Sequence, residues 1–220
     1  MPLHLVYGGT FDPIHLGHLA IARAARDRLD CTIRFMPAGD PPHRAPPGAG
    51  GEDRATMVAL AIADEPGFLL DRRELERSGR SYTVDTLAEL RTELGPAQPL
   101  AWLVGADSLL GLPGWHRAQA LLTLAHLVVA DRPGSPIDGS ALPESLARML
   151  DGRWTGDAGL LHATPAGHLL RLHQPLHPAS ATGVRARLAA GGPTADLLPA
   201  DVAAFIEEKG LYRPAPAAPL

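Results

Sequence analysis

The chain has 220 residues, 45% of them hydrophobic, enough to bury a full core in one domain of ordinary size. Its 24 acidic against 20 basic residues leave a formal net charge of -4, which gives no overall electrostatic reason to expect a nucleic-acid partner. The single cysteine, Cys31, excludes an internal disulfide and a cysteine-based zinc cluster and points to a reducing compartment, the cytoplasm.

Met1 to Tyr7 leads straight into a strand pattern, without a basic region or cleavage site, so no secretory leader is expected. Leu3 to Tyr7 reads as a strand, Leu16 to Leu29 as a helix and Thr32 to Met36 as a strand. Residues 37–51 are too rich in proline and glycine for helix or strand to persist; a loop of that length is either a lid over substrate or plain disorder. A helix is expected over Glu52 to Ala63, with Ala55, Val58, Ala59 and Ile62 on one face. Thr83 to Leu94 then reads as a helix, Leu100 to Val104 as a strand, Ala118 to Leu124 as a helix and His126 to Ala130 as a strand. The longest apolar stretch, Ala118 to Ala130, is interrupted by Thr123 and His126 and falls short of the about 20 residues that span a membrane. Helices over Ala181 to Ala190 and Pro199 to Lys209, the second stopped by Gly210, end the pattern, and residues 214–220 read as an unfolded tail. This alternation predicts an α/β fold: a doubly wound, mainly parallel sheet with helices on both faces, a helical C-terminal end, and residues 1–213 in one domain. Ligands of such sheets bind at the carboxyl ends of the strands.

The first chemical motif, Gly8-Gly9-Thr10-Phe11-Asp12-Pro13-Ile14-His15-Leu16-Gly17-His18, follows the first strand and opens the first helix. Paired glycines admit a close ligand, and a helix start offers N–H donors and the positive end of its dipole. His15 and His18, three apart, share a helical face and can donate to phosphate oxygens as a bond to phosphorus breaks. Two histidines are also half a zinc site, but no cysteine, histidine or aspartate at a familiar spacing completes one. A second stretch, Ser180-Ala181-Thr182-Gly183-Val184-Arg185, begins a helix with a hydroxyl cap and an arginine; it either serves the phosphates from the opposite side or merely caps.

The first string resembles the signature of the nucleotidyltransferases that share a Rossmann-like fold and a His-x-Gly-His motif, and the second resembles their second phosphate motif. Gly183 departs from that pattern, where a bulky aliphatic residue is expected, and weakens the helix by about 1 kcal/mol. Pro41-Pro42-His43-Arg44, Ser81-Tyr82-Thr83, Gly105-Ala106-Asp107-Ser108, Pro113-Gly114-Trp115 and Asp131-Arg132-Pro133-Gly134 resemble bacterial nicotinate-nucleotide adenylyltransferases, and the likeness runs from Leu5 to Arg213.

The resemblance implies transfer of AMP from ATP to nicotinate mononucleotide, with Mg²⁺ held mainly by the ATP phosphates and with no nucleic-acid or membrane partner. It assigns catalysis to His15, His18 and Arg185. ATP binding falls to Gly8, Gly9, Thr10, Phe11, Gly105, Asp107, Ser180 and Thr182 beside those three. His43, Arg44, Tyr82, Thr83, Trp115 and Arg132 are assigned to the acceptor. Read from the residues alone, Trp115 offers a flat face for a pyridine ring or fills core. Asp107 binds ribose, orients a magnesium water shell or caps a helix beginning at Ser108, and Tyr82 and Thr83 meet an anion or cap. His116, His126, His162, His168, His173 and His177 are taken as structural or surface residues. Nicotinamide mononucleotide or another phosphate ester as acceptor, a non-catalytic nucleotide-binding module, and a homo-oligomeric state are left open.

Overall fold

The computed structural model describes residues 1–39, 48–131 and 142–213. His43, Arg44, Arg132 and the tail from residue 214 lie outside the described residues. Within them the order begins β1 (His4–Gly9), α1 (Leu16–Leu29), β2 (Thr32–Pro37), α2 (Gly51–Ile62), β3 (Phe68–Leu70), α3 (Arg73–Glu76) and α4 (Thr83–Leu94). It continues with β4 (Leu100–Gly105), α5 (Ala106–Leu110), a 3-10 turn (Leu112–Gly114), α6 (Ala118–Leu124) and β5 (His126–Ala130). The rest is α7 (Glu144–Leu150), β6 (Trp154–Thr155), α8 (Gly159–Ala163), β7 (Leu169–Leu172), α9 (Ala181–Ala189) and α10 (Ala200–Lys209).

The strands form one seven-stranded sheet in the order β3-β2-β1-β4-β5-β7-β6, and every neighbouring pair is parallel. Side chains alternate across a strand, so a sheet covered on both faces needs apolar residues at every position. The central strands supply them. Leu5 and Tyr7 of β1, Ala101 and Leu103 of β4 and Val128 and Ala130 of β5 enter one core, with α1, α2 and α10. Val6, Trp102, Val104, Leu127 and Val129 enter the other, with α4, α5 and α6. Each fully buried leucine, such as Leu5 or Leu103, contributes about 2 kcal/mol.

The sheet reverses direction at β1 and β4: β2 lies on one side of β1, while β4 and β5 lie on the other. The gap left between crossovers at such a reversal is where an open α/β sheet holds its ligand, and the carboxyl ends there are Gly8-Gly9 and Gly105. The expected helices α1, α4 and α6 occupy the ranges read from periodicity. β1, β2 and β4 each run further than expected, so Gly8, Gly9, Pro37 and Gly105 finish strands rather than open loops. α5 starts at Ala106, not Ser108, which puts Asp107 inside the first turn instead of at a cap. No helix among the described residues is long and apolar enough to cross a membrane.

Candidate active site

The turn from β1 into α1 is fixed from below by a buried arginine. Arg54 of α2 is 1% exposed; its Nη1 donates to the Thr10 carbonyl at 2.7 Å, and its Nη2 to the carbonyls of Ala38 at 2.7 Å and Gly39 at 3.3 Å. Burial lowers the guanidinium's pKa, an effect opposed by nearby Asp12 and Tyr212. The ends of β1 and β2 are thus tied to one charged fork, a geometry that lysine cannot reproduce. Gly8 has a different reason from the one its sequence context suggests. A Cβ there would stand 2.1 Å from Cζ2 of Trp102, so the glycine makes room for an indole that joins the cavity wall.

His15 caps α1 and His18 lies one turn on. The backbone N–H of His15 donates to His18 Nδ1 at 3.3 Å, which marks a neutral ring with its proton on Nε2. The two imidazoles stack with centroids 3.7 Å apart and planes at 24°. Phe11 and Tyr7 meet His18 edge-on at 5.1 Å and 6.0 Å, so the pair rests on an aromatic floor.

The start of α9 approaches the same point. Ser180 caps α9 by accepting the Gly183 N–H at 3.1 Å, and a Cβ on Gly183 would lie 3.1 Å from that oxygen, so the small residue sits against the cap. Gly17 makes the approach of the two helices possible: its Cβ position is 3.0 Å from His15 Nδ1 and 3.1 Å from the Ala179 carbonyl. Arg185 reaches across to donate to the Asp12 carbonyl at 2.7 Å and lies 3.6 Å from the Asp12 carboxylate.

A cavity of about 710 Å³ opens over these groups. Gly8, Gly9, Thr10, Phe11, His15, His18, Gly105, Asp107 and Arg185 line it, as do Tyr82, Thr83 and Trp115. Ser180 lines a smaller cleft of about 240 Å³ that shares His15, His18 and Asp107 with the first. Thr182 is exposed and lines neither. Tyr82 stands at the N-cap of α4 without a side-chain capping bond; its ring instead meets His116 at 4.5 Å.

His116 is exposed, as a surface residue is, and also lines the cavity. Trp102 and Glu74 also line the cavity unannounced, beside Ser81 of the Ser81-Tyr82-Thr83 stretch. Glu74 is buried, accepts from Thr86 Oγ1 at 2.7 Å, and takes the Ser81 hydroxyl on its carbonyl. Burial raises its carboxyl pKa, with the Thr86 bond opposing the shift. Trp102 was hidden because it continues the apolar run of a buried strand; the signal that could have found it is the glycine opposite. His126, by contrast, is buried: its Nε2 faces the Thr164 carbonyl at 2.9 Å and its Nδ1 accepts the His168 N–H at 3.1 Å.

Residues 6–187 match the Cytidylyltransferase-like family. A protein of Stenotrophomonas maltophilia (strain K279a) bearing the name "Probable nicotinate-nucleotide adenylyltransferase" is 62% identical over 218 residues, covering 97% of this chain and 98% of that protein. One of the same name from Xylella fastidiosa (strain 9a5c) is 48% identical over 215 residues, with 96% of each covered. Among solved structures, the nicotinic acid mononucleotide adenylyltransferase of Plasmodium falciparum complexed with NaAD superposes with a TM-score of 0.73 over 96% of this chain and 98% of that one. At 17% identity that likeness speaks for the Rossmann-like fold. The sequence matches carry the rest: the chain belongs to the nicotinate-nucleotide adenylyltransferase family.

Proposed function

We propose that this enzyme joins the adenylyl group of ATP to nicotinate mononucleotide, giving nicotinate adenine dinucleotide and pyrophosphate. The observation that carries the reading is the meeting of the α1 start, with its stacked His15 and His18, and Arg185 of α9 on one cavity at the sheet's reversal point. Across the same cavity, Tyr82, Thr83, Trp115 and His116 offer aromatic faces and a helix start suited to an anionic pyridine.

An oxygen of the acceptor's phosphate attacks the α-phosphorus of ATP, and the bond from that phosphorus to the β-phosphate bridge oxygen breaks. The acceptor phosphate is already ionised at neutral pH, so no side-chain nucleophile is required and catalysis reduces to alignment and charge neutralisation. His18, with its proton on Nε2, donates to phosphate oxygens; His15 and Arg185 share the charge that moves onto the departing pyrophosphate. Gly8, Gly9 and Thr10 border the donor's phosphates and Gly105 and Asp107 its nucleoside, while Ser180 contributes through the start of α9. His43, Arg44 and Arg132 are assigned to the acceptor by the family likeness alone.

The donor set suits Mg²⁺ carried by ATP: imidazoles and a guanidinium for the phosphate oxygens, and the Asp107 carboxylate on the wall for a water shell. When bound, the ion neutralises charge on the phosphates. The test is pyrophosphate release from ATP and Mg²⁺ with nicotinate mononucleotide, nicotinamide mononucleotide and phosphopantetheine offered separately. Release foremost with the nicotinate compound is expected; equal release with all three, or none, would sink the assignment.

A further inference from the structure

The Asp12 carboxylate is 6% exposed and fully engaged. Its Oδ1 accepts the Ala49 N–H at 3.0 Å and the Tyr212 hydroxyl at 2.8 Å; its Oδ2 accepts the Gly48 N–H at 2.8 Å and faces Arg185 Nη1 at 3.6 Å. Three distant stretches, the signature turn, the backbone before α2 and the end of the described chain, therefore meet on one side chain. Tyr212 is 200 residues from Asp12, and the route it takes there is costly. α10 ends at Gly210 with φ 63°, and Tyr212 itself turns back at φ 61°. A non-glycine residue in that left-handed region is strained and persists only where its surroundings hold it. The holding contacts are the hydroxyl bond and the ring's position beside Gly48, whose Cβ would lie 3.1 Å from Tyr212 Cε1. Burial and the carboxylate both push the phenol's pKa up, so the hydroxyl stays a donor at neutral pH.

We propose that Tyr212 is a positioning residue of the triphosphate site, orienting Asp12 so that Asp12 holds Arg185 at the cavity. The inference rests on the reading of Arg185 as a phosphate-binding group. Arg185 is anchored at two points, the Asp12 carbonyl and the Asp12 carboxylate, and only the carboxylate can rotate. Removing the hydroxyl leaves each carboxylate oxygen with one backbone donor, Ala49 on Oδ1 and Gly48 on Oδ2, and takes away the side-chain bond that ties the carboxylate to the end of the described chain, so its position against the guanidinium loosens. The ring, and with it the packing of the α10 end, stays in place.

The test compares full-length wild type with Tyr212→Phe, and with Asp12→Asn as a second route should the first not fold. Binding of the α,β-methylene analogue of ATP with Mg²⁺ is read by calorimetry, KM and kcat by pyrophosphate release, and folding by thermal unfolding. Tyr212→Phe is expected to bind the analogue more weakly, by about tenfold at most, since the lost bond lies within the protein and reaches the ligand only through the placing of Arg185. Its KM for ATP rises with that loss, while KM for nicotinate mononucleotide stays within about twofold, a split that general loosening of the fold does not produce. Arg187→Ala, on the same helix as Arg185, breaks an exposed pair with Asp196 in the segment after α9; it serves as control and leaves analogue affinity unchanged. Analogue affinity in folded Tyr212→Phe equal to wild type overturns the proposal. If wild type binds the analogue yet releases no pyrophosphate with any acceptor, the proposed reaction fails, and the binding comparison alone decides the role of Tyr212.

Discussion

His15 and His18 are held as a stacked pair, 3.7 Å between ring centroids, by the bond from the His15 N–H to His18 Nδ1. One imidazole therefore sets the backbone from which the other projects. His18→Ala is expected to lower kcat by about 100-fold or more, the usual loss for an oriented donor to developing charge. The lost cap bond costs only about 1 kcal/mol of stability, so the thermal midpoint should move by a few degrees at most. Near-normal turnover in a well-folded variant would remove His18 from the mechanism.

Gly8→Ala is expected to destabilise the protein, because the added methyl would stand 2.1 Å from the buried Trp102 ring. Overpacking of this kind costs about 1–3 kcal/mol. Trp102→Leu in the same chain removes the obstructing ring and should recover part of the loss, giving a coupling energy that two unrelated sites do not show. Chemical denaturation of the two single variants and the double variant measures it; additive effects would mean that the indole is not what Gly8 accommodates.

On the acceptor side, Trp115→Ala and His116→Ala should each raise KM for nicotinate mononucleotide by about tenfold, within the usual range for a lost stacking or polar contact. KM for ATP should change much less, since Trp115 is assigned to the acceptor with Tyr82 and Thr83, and His116 packs on the Tyr82 ring at 4.5 Å. Steady-state kinetics with each substrate varied in turn checks this. A larger effect on ATP would reverse the assignment of these two residues.

Much of this architecture is legible before any coordinates. α1, α4 and α6 occupy the ranges that their pattern gives, and β5 runs on apolar residues after His126, so local pattern and final fold agree. The elements that escape are those whose existence depends on neighbours. β3 and β6 are short edge strands, and β7 enters the sheet between β5 and β6 although it follows both in sequence. The motif residues found from sequence are those whose chemistry is unusual for their position, such as His15 and His18. Arg54, Asp12 and Tyr212 matter through partners up to 200 residues away, and no local spacing announces such a pairing. His116, a lone histidine, carries no signal of a site in the sequence; its place in the cavity lining against the Tyr82 ring emerges only from the packing.

His126 offers a test of the fold that is independent of catalysis. The ring is buried and neutral, donating from Nε2 to the Thr164 carbonyl and accepting at Nδ1 from the His168 N–H. Desolvation pushes its pKa down to about 4, with the Thr164 bond opposing the shift and the charges of His168 and Arg91 adding to it. A histidine in the unfolded chain takes up its proton near pH 6.5, so between about pH 6.5 and 4 the unfolded state binds more protons than the folded one. The stability contributed by neutral His126 is thus complete above pH 6.5 and is lost as pH falls toward 4, by about 1–3 kcal/mol in all. His126→Gln keeps one donor and one acceptor but does not titrate in this range. Urea denaturation at intervals across pH 4 to 7 should therefore show a shallower acid slope for the variant than for wild type. Parallel slopes would mean that His126 takes up its proton in the folded protein without cost, contrary to its burial between two backbone partners.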